Sequence, residues 1–252
     1  MNELRGQADP AEIVDAVFAI SCRCLPVDHA HALAQAIEAA LPWYADEPGA
    51  GLHTVHGAAS ASGWLRPEGA DALLQLSHRA KLALRLPRHR LEDAAALLGR
   101  TLQVAGWPLR VDSLALRPLS RITTLYARCV VLADGDGDGD GDGDGKQPDR
   151  AADVGGDAAL LSTDADREAA FLAAAAGELR ALGVSPATML CGRVTSIATP
   201  ARSYLAHSLM LAGLTREQSL ALQRNGLGTL RRLGCGVFIP HKDIGDLNSR
   251  PD

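Results

Sequence analysis

The sequence predicts an α+β fold of two tandem ferredoxin-like (RRM-like) domains, each running β-α-β-β-α-β. Three observations carry this expectation. Strand-like and helix-like periods alternate in that order, the order occurs twice, and the second occurrence is interrupted by an Asp-Gly run at 134–145. With 252 residues, 47% of them hydrophobic, the chain has apolar material for two cores of that size.

The first domain, 11–119, opens with "EIVDAVFAISCRCLP" (Glu12 to Pro26), whose β-branched and apolar residues read as a strand. Asp28 is placed to N-cap "HAHALAQAIEAAL", where apolar residues recur at helical spacing until Pro42. "GLHTVHGAA" and "AKLALRLP" read as two strands on either side of a polar loop around 63–69. "RHRLEDAAALLG" is a short helix closed by Gly99, and "TLQVAGWPLRVDSLALRPL" a hairpin or bent strand. The second domain, 120–244, repeats the order. "RITTLYARCVVL" is a strand, and Asp164 to Leu182 an alanine-rich helix ending at Gly183. "ATMLCGRVTSIA" and "RSYLAHSLMLAGL" pair as strands. Thr215 caps "REQSLALQRNG", with Glu217 close to capping-box spacing, and "CGVFIP" is the last strand. Residues 245–252 form a tail.

The Asp-Gly run predicts a disordered insertion over 134–163, since alternating glycine and repelling carboxylates offer no core. It also masks the charge balance. The chain carries −5, but removing the run's six aspartates leaves +1. Between Leu65 and Arg128, eleven Arg and Lys face five Asp and Glu. Positive charge is therefore concentrated where a polyanion could bind. The five cysteines, Cys22, Cys24, Cys129, Cys191 and Cys235, include a C-x-C rather than a redox or zinc pair and are expected as buried, reduced thiols. The opening residues lack a secretory pattern, and no apolar run reaches the roughly 18 residues that span a bilayer. These features predict a soluble, cytoplasmic protein without a membrane partner.

"GLGTLRRLGCGVFIP" concentrates glycine and charge between a helix and a strand. Nucleotide-binding glycine loops have the reverse order, and a P-loop needs Gly-Lys-Ser/Thr. Two readings stay open. In one, Gly226 caps the helix, the next strand enters through a bulge and the arginines face solvent. In the other, Gly226, Gly228, Gly234 and Gly236 let backbone N–H groups approach a phosphodiester chain, with Arg224, Arg231 and Arg232 as countercharge. Arg79, Lys81, Arg85, Arg88 and Arg90 form a basic stripe, and Lys81 and Arg85 share one strand face. Phe238 and Tyr126 are read as core residues before base-stacking ones.

"GLGTLRRLGCGVF" resembles the C-terminal glycine-rich loop of the CRISPR-associated endoribonucleases of the Cas-six family. "LPVDHAHALAQAI", "AGLHTVHG", "LRLP" and "TLYAR" follow in the same order as in one bacterial subfamily. The resemblance spans nearly the whole chain outside the insertion and tails. It implies tandem ferredoxin-like domains and metal-independent cleavage of CRISPR repeat RNA (pre-crRNA) into guide RNAs. The ribose 2′-hydroxyl attacks its own phosphate, leaving a 2′,3′-cyclic phosphate and a 5′-hydroxyl. No cofactor is implied; the partners are repeat RNA, crRNA and subunits of an effector complex. The alternative is a non-catalytic RNA-binding subunit of such a complex.

That reaction needs a base, an acid and a cation or donors for the phosphorane. His29 stands at the first helix's start, where relatives often place a catalytic or substrate-contacting histidine, and the helix N-terminus favours a neutral ring and an anion. His53 lies on or before the second strand. His56, three residues on, is expected to face the other side, and His31 to face away from His29. Some relatives carry the catalytic histidine at the end of the first helix. Here that region reads "PWYADE", so Tyr44 is the nearest candidate. The expected catalytic set is therefore His29, Tyr44 and His53. The four early histidines lack converging spacing or nearby ligands for zinc, so no metal is expected.

Overall fold

The computed structural model describes residues 12–56, 67, 72–132 and 163–241. Apart from Thr163, the Asp-Gly insertion and the tail lie outside the described residues.

The first sheet contains β1 (Ile13–Ser21), β3 (Gly51–His53), β5 (Lys81–Pro87), β6 (Thr101–Val104) and β7 (Trp107–Pro118) in the order β3-β5-β1-β7-β6. Without the β6 edge, this is the ferredoxin-like arrangement, in which the first strand lies between the third and the fourth. Helix α1 (Ala30–Ala40) packs on one face through Leu33, Ala34 and Ile37. The opening apolar segment is two strands rather than one. It breaks after β1, and β2 (Cys24–Pro26) pairs separately with β4 (Leu73–Gln75). The expected short helix is a 3-10 turn, α2 (Leu91–Ala94) and a second 3-10 turn in succession.

β5 shows how the sequence encodes position. "KLALRLP" is buried at every residue after Lys81. A strand covered on one face alternates; one covered on both does not. Leu82, Leu84 and Leu86 fill the core beneath α1, while Ala83 and Arg85 point to the opposite face. That face is closed by the second half of the chain.

The second sheet runs β11-β8-β10-β9, with β8 (Leu125–Val130), β9 (Thr188–Ala198), β10 (Ser203–Ala212) and β11 (Ile239–Pro240). The fold is thus tandem ferredoxin-like. Helices α3 (Asp164–Ala181) and α4 (Arg216–Asn225) each start from a capping box, Thr163 with Asp166 and Thr215 with Gln218. Gln218, not Glu217, completes the second box, because the reciprocal bond requires the third helical residue. The first helix also departs from expectation. His29 occupies its N-cap without a side-chain cap, while Asp28 Oδ2 accepts from the Ala198 N–H at 3.3 Å and so ties the helix start to β9.

Candidate active site

The glycine segment starts where α4 stops. Gly226 caps the helix at φ +72°, and Gly228, Gly234 and Gly236 have φ of +73°, +90° and +66°. The left-handed region alone favours glycine, and space forbids a side chain as well. A Cβ at Gly228 would run into the Val131 carbonyl, and one at Gly236 into the Leu227 carbonyl. The N–H groups of Gly226, Gly228, Gly234 and Gly236 donate to Leu222 O, Glu178 Oε2, Arg231 O and Cys129 O respectively. The glycines therefore serve close packing of the segment on β8. Their N–H groups are committed within the protein, which corrects the expectation that they face a phosphate chain. Gly228 alone of these four donates to an ionisable side chain.

The basic residues divide in the same way. Arg85, expected on a phosphate-facing surface, is 1% exposed. Its Nε and Nη2 bond the two oxygens of Asp15, its partner across β1, at 2.8 and 3.2 Å. Its Nη1 donates to Gln223 O at 3.0 Å and Phe238 O at 2.7 Å in the second half. Arg231 is also drawn inward, donating to Asn225 O and Gln223 O at 3.0 and 3.3 Å. Both guanidiniums meet carbonyls at the end of α4, where the helix dipole is negative. Burial lowers Arg231 to about 10, which leaves it charged at neutral pH. The remaining stripe is broken up: Arg88 pairs with Glu12, and Arg90 with Glu47 and Asp93. Lys81, Arg224 and Arg232 are exposed, and Arg232 Nη1 lies 3.1 Å from Glu38.

The three expected catalytic groups are not brought together in one opening. His29 is 3% exposed, and its Nδ1 donates to the Pro26 carbonyl at 2.8 Å. Tyr44 is fully enclosed, its hydroxyl has no hydrogen-bond partner, and burial pushes the phenol well above its ordinary value. His53 alone of the three lines an opening.

Two hollows flank the glycine segment. The larger, about 380 Å3, lies between α1, the β9–β10 turn and the 3-10 turn Arg231–Leu233. His31, Gln35, Glu38 and Arg232 supply its polar wall, and the His31 Nε2 is buried without a partner. The smaller, about 40 Å3, is lined by His53, Thr54, His56, Arg128, Gly234 and Val237. His53 and His56 thus share one hollow, contrary to the alternation expected of a continuous strand. β3 ends at His53, so His56 lies beyond the pleat.

His53 Nε2 lies 3.1 Å from Asp15 Oδ1. Burial alone would raise the Asp15 carboxyl, but His53 and Arg85 overcome it and hold Asp15 well below the carboxylate range. Arg117 adds a third contact to Asp15, at 3.1 Å. An ionised carboxylate only accepts, so the His53 Nε2 carries the proton and Nδ1 is left as a base. Burial lowers the His53 pKa against the opposing pull of Asp15, keeping the ring neutral at pH 7. His56 is likewise lowered, by burial and then by Arg128.

From the sequence alone, Asp15, Arg128 and Glu178 carry no assigned role, and His56 is expected to face the other side of the strand. Asp15 left a signal, as the only charge within an otherwise apolar strand. Arg128 closes the "TLYAR" segment and the basic stretch, but only the fold carries it beside β3. Among the described residues, no helix is long and apolar enough to cross a membrane, and no three His, Cys, Asp or Glu converge as a metal-binding group.

Two ferredoxin-like halves, closed on each other around a glycine-rich segment with hollows on both sides, define a two-module α+β protein. The family model described as Cas6 Crispr matches residues 14–243, and the chain belongs to the Cas6 family. It is 29% identical over 227 residues to the CRISPR-associated endonuclease Cas6 of Myxococcus xanthus (strain DK1622), covering 90% of this chain and 81% of that one. Among solved structures, a CRISPR associated protein Cas6 superposes with TM-score 0.56 at 13% identity, over 92% of this chain and all of that one. A RAMP protein described as binding different RNA substrates gives 0.53 at 11% identity, over 90% and 98%. At these identities the two structures show the shared fold.

Proposed function

We propose that this protein is an endoribonuclease that cuts CRISPR repeat RNA without a metal ion, by attack of a ribose 2′-hydroxyl on the adjacent phosphate. The observation that carries this reading is the hollow beside Gly234, where His53, His56 and Arg128 meet. They are the base, acid and cation that the reaction requires. His53 Nδ1 takes the 2′-hydroxyl proton as the oxygen attacks phosphorus. The bond from phosphorus to the 5′-oxygen breaks, and that oxygen takes a proton from His56. For this step His56 is the imidazolium, its Nδ1–H donating to the Thr54 carbonyl at 3.3 Å and its Nε2 proton going to the leaving oxygen. Arg128 offsets the charge that builds on the phosphorane. The products are a 2′,3′-cyclic phosphate and a 5′-hydroxyl. The larger hollow, with Arg232 at its rim, suits the nucleotides leading to the cut. Family membership and the endonuclease relative support the RNA substrate.

One observation favours a second reading, a non-catalytic RNA-holding subunit of an effector complex: His29 and Tyr44 are both enclosed. The test is incubation of the purified protein with end-labelled repeat RNA in EDTA. Cleavage that leaves a cyclic phosphate supports the nuclease. Tight binding without cleavage supports the holding subunit, and cleavage only on adding a divalent ion contradicts the metal-free step.

A further inference from the structure

We infer that Asp15 is the positioning residue of the cleavage reaction: it fixes the His53 ring in the orientation and tautomer that present Nδ1 to the RNA. The inference rests on the reading of His53 as the base. Its ground is the placement of Asp15 at the centre of β1, where a charge must be justified by its partners. The side chain is almost entirely enclosed, with 4% exposure. The carboxylate has three partners, and each has a distinct consequence.

Arg85 takes both oxygens from within the junction and holds the carboxylate in place and ionised. Arg117, on β7, takes Oδ2 from the solvent side. The contact on Oδ1 that remains goes to His53 Nε2. A buried carboxylate that cannot donate, locked by two guanidiniums, permits one tautomer of the imidazole. This is the logic by which an acid orients a catalytic histidine without exchanging its own proton. Because Arg85 also bonds Gln223 O and Phe238 O, the second half's docking fixes the same carboxylate. The orientation of the histidine is thereby coupled to closure of the two halves.

The charged and titratable groups around the ring are Asp15 on β1, Arg85 on β5, Arg117 on β7, and His56 and Arg128 across the hollow. Asp15 alone among these is an anion, so its loss acts in one direction. In single-turnover cleavage of repeat RNA by the full chain, Asp15→Asn is expected to lower the rate by about 10- to 100-fold, as loss of an orienting partner does. The acid limb of its pH–rate profile moves to lower pH, because the charge favouring protonated His53 is gone. A role confined to stability would reduce the folded fraction and leave that limb in place.

A folded Asp15→Asn protein with the wild-type rate and acid limb would overturn the inference. Nitrogen NMR of wild-type imidazoles gives a reading independent of that variant's folding and of cleavage. The inference expects His53 protonated at Nε2 at neutral pH, and a proton on Nδ1 would overturn it. If wild type does not cleave, or His53→Ala cleaves normally, the nuclease reading of the site fails, while the NMR result still decides whether Asp15 sets the tautomer.

Discussion

Arg85 Nη1 lies 2.7 Å from the Phe238 carbonyl, so a strand at the heart of the first sheet is bonded directly to the chain leading into the last strand of the second. The same guanidinium neutralises Asp15. Arg85 is therefore the joint of the molecule and is enclosed away from any surface ligand.

Arg85→Met leaves the Asp15 carboxylate buried with its main counter-ion gone. Removing one partner of a buried pair costs about 3–5 kcal/mol. Urea denaturation is expected to show that loss. The double variant with Asp15→Asn should recover part of it, because the stranded charge is then absent.

Gly236→Ala forces a side chain onto the Leu227 carbonyl at a residue with φ +66°. The left-handed backbone alone costs a non-glycine residue about 1–2 kcal/mol. Loss of thermal stability is expected, and RNA binding should fall with the folded fraction.

Glu178 Oε2 accepts from the Gly228 N–H at 2.9 Å, which places a carboxylate beside the glycine segment. Glu178→Gln removes a negative charge from the rim of the glycine segment. Repeat-RNA affinity at low salt should rise, and filter-binding titrations would show this. Arg128→Gln should weaken binding and reduce the salt slope by about 0.7, the value for one phosphate contact on a single strand.

Acid should destabilise the fold in two stages. The His53 pKa is below 6.5 in the folded protein, so the unfolded chain binds more protons as pH falls through that value. The Asp15 pKa lies far below 3.8, so its contribution is whole above that value and is lost as pH falls below it. Unfolding free energy measured against pH should therefore decline first near 6.5 and again below 3.8.

Much of the architecture was legible because periodicity reports burial. The apolar repeat of "HAHALAQAIEAAL" marks a one-faced helix and the run of "KLALRLP" a strand, though not that both its faces are covered. The glycines flagged tight backbone, but not what the backbone approaches. Their N–H groups go to the end of α4, the Glu178 side chain, the segment's own turn and Cys129 on β8, and the distant partners among these are not announced by the local sequence. Arg85 misled for a similar reason: charge reads as exposure until the opposing face is known to be covered. His29 was prominent by its place at a helix start, yet the Pro26 carbonyl three residues earlier claims its ring. The hollow beside Gly234 draws on β3 and β8 and on the glycine segment, far apart in the chain. No window of sequence contains it.

The central claim is that His53 performs proton transfer in the hollow beside the glycine segment. The most direct measurement is single-turnover cleavage of labelled repeat RNA in EDTA by wild type and His53→Ala, with RNA affinity measured on the same samples. The account predicts that the variant binds RNA as wild type does and loses cleavage by at least about a hundredfold, the scale of general acid–base catalysis. A His53→Ala protein that cleaves at the wild-type rate would contradict it.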